Sequence, residues 1–167
     1  VRQQLRARQL RVELPDPALQ DLAVTLYDHF HDLGWLYLNA YGAICFLMAR
    51  LVQHAAVAHG HRARVVSGYV QVDRGDKNVF LLAGQGVAAA GQIDGHAFCV
   101  VDEAMIVDFG LGNLRRGFMP GLAWGVACAY RPQPPVYGHM ALSEACHAAW
   151  KGDWVYPGTE AEFAKFD

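Results

Sequence analysis

No apolar run in this chain approaches the roughly 20 residues that a membrane-spanning helix requires, although 53% of its residues are hydrophobic. The arginines at the start (Arg2, Arg6, Arg8 and Arg11) are not followed by the apolar segment of an export signal either. Net charge is small: 14 lysines and arginines against 16 aspartates and glutamates leave a formal −2. Such a chain has no strong field to attract nucleic acid or an anionic membrane, and neither is expected as a partner. The arginine cluster reads as the solvated face of a helix. Four cysteines, at 45, 99, 128 and 146, form no C-x-x-C pair and no zinc-ligand spacing. A chain this long and this apolar does not need disulfide staples, so a reduced, cytoplasmic setting is expected. The chain opens at Val1 rather than Met, which leaves room for an upstream segment and keeps export as an effector open.

Three other motifs are incomplete. The small-residue loop from Gly84-Gln85-Gly86 to Gly91 lacks the Lys-Ser/Thr ending of a phosphate-binding loop, and reads as a flexible loop or a lid near a site. Asp108-Phe109-Gly110 matches a kinase trio in letters, but no His-Arg-Asp precedes it. His29 with His31, and His59 with His61 and His54, fall on an expected helix or at its end, where residues two apart point to different sides. Neither a metal nor any other cofactor is expected. There is no internal repeat and no low-complexity linker.

What is present fits one domain with one substantial core, divisible into an N-terminal helical part (1–34), a core (35–130) and a C-terminal extension (131–167). Residues 1–14 read as a short helix or an arm, stopped by Pro15-Asp16-Pro17. Leu19, Leu22, Ala23, Leu26, Tyr27 and Phe30 recur at helical spacing up to Gly34, with Asp16 and Pro17 as a start signal. A longer helix is expected from Ala43 to His59 on the stripe Ile44, Leu47, Met48, Leu51, Val52 and Ala55, ended by Gly60. Strands are expected at 64–72, 78–83, 96–101, 105–109 and 123–130, then a short helix over Leu142 to Trp150 and an aromatic tail (Trp154, Tyr156, Phe163, Phe166). Helices first and a meandering sheet afterwards make the fold class α+β, with one helix packed on an antiparallel sheet.

Cys45, His96 and Asp108 stand out within this frame. A thiol attacks as its thiolate, and a free thiol near pKa ~8.5 is mostly protonated at neutral pH. A position in the first turn of a helix, with unpaired N–H groups and the positive end of the dipole, favours the charged form. An imidazole then needs one nitrogen facing sulfur and the other held by a fixed acceptor. A tight turn at Val101-Asp102-Glu103-Ala104 sets His96 opposite Asp108 as a cross-strand neighbour, with Cβ atoms roughly 4.5–5.5 Å apart. Cys99 and Cys128 lie in apolar runs and read as buried filler.

From Trp35 to Gly112 these residues resemble a known family. The Gly42-Ala43-Ile44-Cys45 helix start, the Ala63-Arg64-Val65-Val66-Ser67-Gly68-Tyr69 strand, His96-Ala97-Phe98 and Ile106-Val107-Asp108 are similar to the core of the transglutaminase-like cysteine-enzyme superfamily. The resemblance implies a papain-like arrangement with Cys45 as nucleophile, His96 as general base and acid, and Asp108 as orienting acid. Phe98 replaces the usual Trp after His-Ala, and Asp108-Phe109-Gly110-Leu111-Gly112 replaces Asp-Pro. That last stretch is similar to the Asp-Val-Gly-Phe-Gly of arylamine N-acetyltransferases, whose Arg-Gly-Gly-x-Cys lead-in is absent here. The implied chemistry is attack of Cys45 on an amide of a peptide or protein, with the oxyanion held by the Cys45 N–H and a second donor. Trp35, Tyr37 and Asn39 precede the helix at a distance that suits that donor. Hydrolysis, deamidation and cross-linking all follow from one thioacyl intermediate. Trp150 and Trp154 can border a peptide groove. A catalytically silent binding module on the same fold, or acetyl transfer, are the alternatives.

Overall fold

The computed structural model describes residues 9–34, 44–73, 79–82, 95–112 and 121–166, with backbone alone for 79–82. In chain order the elements are β1 (Leu10–Glu13), α1 (Pro17–Asp32), α2 (Cys45–Ala58), β2 (Ala63–Asp73), β3 (Val79–Leu82), β4 (His96–Val101), β5 (Met105–Asp108), β6 (Gly125–Ala129), β7 (Val136–Ser143), β8 (Cys146–Lys151) and α3 (Thr159–Phe163).

Both long helices start and stop where their end signals fall. Asp16 accepts a hydrogen bond from the Ala18 N–H at 2.9 Å and Pro17 opens α1, while Gly34 follows the helix at φ +72. Its buried residues, Leu22, Ala23, Leu26, Tyr27 and Phe30, keep the three-and-four spacing. Helix α2 begins at Cys45, and Gly60 at φ +85 lies just beyond its end. Its buried face is Cys45, Phe46, Met48, Ala49, Val52, Ala55 and Ala56. Leu47 and Leu51, expected on that face, are only half-buried. The small residues Ala49, Ala55 and Ala56 turn inward instead and let the helix lie close on the sheet.

The strands run in the order β1-β6-β5-β4-β2-β8-β7, with β3 on β2. All pairs are antiparallel except β1 with β6. The sheet curls until it nearly closes. The Arg131 N–H donates to Tyr137 O at 2.8 Å, and the Ala141 N–H donates to the Glu13 carboxylate at 3.0 Å. The Arg11 guanidinium donates to Ala141 O, so two β1 side chains clasp the far edge strand. Curling gives the sheet two apolar faces. One packs under α1 and α2 through Cys99, Val101, Met105, Val107 and Phe109. The enclosed face gathers Phe98, Val100, Ile106, Val126, Met140 and Trp150. Every residue of β4 and β5 is buried, as strands covered on both faces must be.

Two sequence expectations are overturned. The segment read as a short helix or arm differs from that reading over residues 10–13, which form β1 just after a helical Gln9: Leu10 and Leu14 are buried with Val12 packed beside them, a period of two that pairing with β6 makes decisive. Residues 1–8 lie outside the described residues. The helix expected over Leu142 to Trp150 is the end of β7, the turn and β8 of one hairpin, in which Cys146, Ala148 and Trp150 alternate inward against β2. Alanine and glutamate favour a helix locally, and tertiary pairing outweighs that preference of a few tenths of a kcal/mol, about 0.5 per residue. The parts set apart as 1–34 and 131–167 thus each contribute strands to the same sheet as the core.

Candidate active site

Three element ends meet at one end of the sheet. His96 opens β4, Asp108 closes its antiparallel neighbour β5, and Cys45 is the first residue of α2. The β4–β5 turn decides how the first two meet. Asp102 and Glu103 both adopt positive φ, at 52 and 51, and the Ala104 N–H donates to Val101 O at 3.0 Å. Ala104 then falls outside the ladder, and the strands resume with Val101 opposite Met105 and Cys99 opposite Val107. Continued by one residue, that register puts Phe98, not His96, opposite Asp108. His96 is the diagonal neighbour, two residues further along the same face, and the length of the imidazole bridges the gap. A slip by one residue would have sent the two side chains to opposite faces.

The nitrogen His96 Nε2 lies 2.7 Å from Asp108 Oδ2, with side-chain exposures of 1% and 0%. The Gly110 N–H donates to Asp108 Oδ1 at 2.8 Å, and the Trp150 indole N–H donates to Oδ2 at 2.8 Å. Three donors therefore meet one buried carboxylate. Burial alone would lower the imidazole pKa. The charge of Asp108 and its hydrogen bond, with a further contribution from Cys45, outweigh burial and push His96 up from 6.5 to about 10. The other ring nitrogen, Nδ1, is buried without a hydrogen-bond partner among the described residues, and besides Asp108 the Cys45 thiol is the group that acts on the ring.

The Cys45 thiol reaches Gly95 O, just before His96, at 3.6 Å, and Cys45 is 4% exposed. Glycine at 110 permits this approach. A Cβ there would stand 2.9 Å from both Cα and Cβ of Cys45 and 3.3 Å from Asp108 Oδ1. Around the thiol, Phe46, Ala49 and Ala97 are buried, and Val65, Tyr156 and Phe163 of the C-terminal segment and β2 pack against them. As the first helical residue, Cys45 presents a backbone N–H that α2 itself does not use.

The remaining sequence candidates fall elsewhere. Cys99, Cys128 and Cys146 are buried and unpaired by disulfides; burial pushes the Cys99 thiol up to about 12 and raises that of Cys128 as well. His59 Nδ1 lies 2.8 Å from Ala55 O, and His61 Nδ1 2.7 Å from Asp102. Among the described residues no three His, Cys, Asp or Glu side chains are grouped to hold a metal ion. Trp154 is half-buried, whereas Trp150, expected at a groove edge, is fully enclosed beneath Asp108. Trp35, Tyr37 and Asn39, the candidate oxyanion donors, and the loop from Gly84 to Gly91 lie outside the described residues. A cleft of about 380 Å³ opens at the β1–β7 seam, lined by Val12, Pro15, Arg131 and His139, away from the thiol. No helix among the described residues is long and apolar enough to cross a membrane.

The sequence reading missed Trp150 and Gly110. The glycine left a signal, since Asp108-Phe109-Gly110 allows a backbone N–H to turn back on its own carboxylate two residues on. The tryptophan left none, being 42 residues from Asp108 in the chain. Neither family models nor curated proteins nor solved structures match this chain.

Proposed function

We propose that the chain is a cysteine-dependent acyl-transfer enzyme of the transglutaminase-like kind, acting on an amide bond of a peptide or protein through a Cys45 thioacyl intermediate. One observation carries the reading: a buried imidazole is tied by Nε2 to Asp108, its Nδ1 has no hydrogen-bond partner among the described residues, and the Cys45 thiol acts on the same ring. The resting pair is a thiolate with an imidazolium held beside a carboxylate, the thiol proton residing on the ring. The thiolate attacks the amide carbonyl, and the developing oxyanion is stabilised by the Cys45 N–H at the start of α2. His96 returns its proton to the departing amine, leaving the acyl group on sulfur. Water then gives hydrolysis or deamidation, and a second amine gives a cross-link.

The 4% exposure of Cys45 is the observation that favours a second reading, a catalytically silent binding module. A generic acyl donor separates the two. On incubation with p-nitrophenyl acetate, intact-mass spectrometry should show one acetyl group on Cys45, missing in Cys45→Ala and formed on the order of 100-fold more slowly in His96→Ala. Acetylation that is absent, or equally fast without His96, supports the silent module. Glutamine-containing peptides then sort the reaction: free ammonia, chain cleavage and cross-linked product are distinguishable by mass.

A further inference from the structure

Trp150 is fully buried in β8, opposite Val70 of β2, and its indole N–H ends on the very oxygen of Asp108 that holds His96. An indole nitrogen is a donor only. A donor aimed at a carboxyl oxygen stabilises the carboxylate over the carboxylic acid, and in a buried setting the preference is strong. The Trp150 and Gly110 N–H groups, at 2.8 Å each, fix the plane of the carboxylate from both ends. A phenylalanine would keep an aromatic ring in the enclosed core, with a smaller volume that lowers stability, and would leave that oxygen, among the described residues, with His96.

We infer that Trp150 is a positioning residue: its indole N–H holds the Asp108 carboxylate turned toward His96, so that Oδ2 keeps the imidazole ring in place. Its consequence for catalysis rests on the thiol-enzyme reading; the hold on the ring does not. With the indole N–H removed, the carboxylate turns more freely, its hydrogen bond to Nε2 weakens, and the imidazolium facing Cys45 loses part of what stabilises it.

The test is the pH titration of the His96 ring nitrogens by 15N NMR in the wild-type chain and in Trp150→Phe, read beside the pH profile of Cys45 alkylation by iodoacetamide. In the variant the change from the imidazolium pattern to that of neutral imidazole is expected about one pH unit lower than in the wild type. The acid limb of alkylation should rise by about one pH unit, on the order of tenfold slower reaction at a fixed acidic pH. Unchanged nitrogen signals and an unchanged limb, with only a lower Tm, would reduce Trp150 to packing and overturn the inference. If Trp150→Phe does not fold, 3-benzothienylalanine at position 150 keeps the bicyclic shape without the N–H, and must give the same displacement. A wild-type Cys45 that alkylates like an ordinary thiol removes the enzyme reading, while the nitrogen comparison still decides the role of Trp150.

Discussion

His96 couples the chemistry of the site to the stability of the chain. Its pKa is near 6.5 when unfolded and about 10 when folded, because the Asp108 charge outweighs the cost of burial. The folded state therefore binds the proton more tightly, and the stability this contributes is fully present below about pH 6.5 and is lost as pH rises through about 10. The Tm of the wild type should fall across that window relative to His96→Gln, whose side chain keeps a donor for Asp108 but does not titrate. Parallel curves for the two proteins would mean that His96 is neutral in the folded chain. Cys45, by contrast, owes its place to what a neighbour lacks: any side chain at Gly110 would displace it.

The β4–β5 hairpin is the element that makes the site, and its turn carries a local cost. Asp102 earns its left-handed conformation by accepting from the Arg62 N–H at 2.9 Å and pairing with His61. Among the described residues Glu103 has no such local bond, and its conformation costs about 1–2 kcal/mol. Its ion pair with Arg64 is half-exposed, at 54% and 47%, and contributes about 0–1 kcal/mol. Glu103→Gly should therefore raise the Tm by about 2 °C, as measured by calorimetry; a fall would show that the ion pair outweighs the turn. The hairpin was legible because short apolar runs flank an Asp-Glu turn, and the shared face of His96 and Asp108 survived because the observed register lies two residues from the expected one, an even shift that preserves the face. The diagonal offset was not legible, since nothing in the sequence marks Ala104 as a third turn residue. Helices α1 and α2 were readable from their caps and spacing, whereas β8 was hidden by helix-favouring alanines whose pairing with β2 only the fold reveals.

At the scale of the whole molecule, the nearly closed sheet explains why residues so far apart in the chain share one carboxylate. Curling brings β8 across the enclosed core until Trp150 lies under Asp108, while α2 on the outer face delivers Cys45 around the strand ends. The clasp of Arg11 and Glu13 on Ala141 holds that curl at the seam. Order along the chain, thiol then imidazole then carboxylate, made the cluster readable in advance; the closure that completes it lies in pairings that no local pattern announces. The central claim is that His96 activates Cys45, and the most direct measurement is the rate at which excess iodoacetamide modifies Cys45 near pH 6, located by peptide mass spectrometry. Selective modification of Cys45 over Cys99, Cys128 and Cys146, suppressed in His96→Ala, is the result predicted. A Cys45 no more reactive than an ordinary thiol, or one indifferent to the loss of His96, would contradict it.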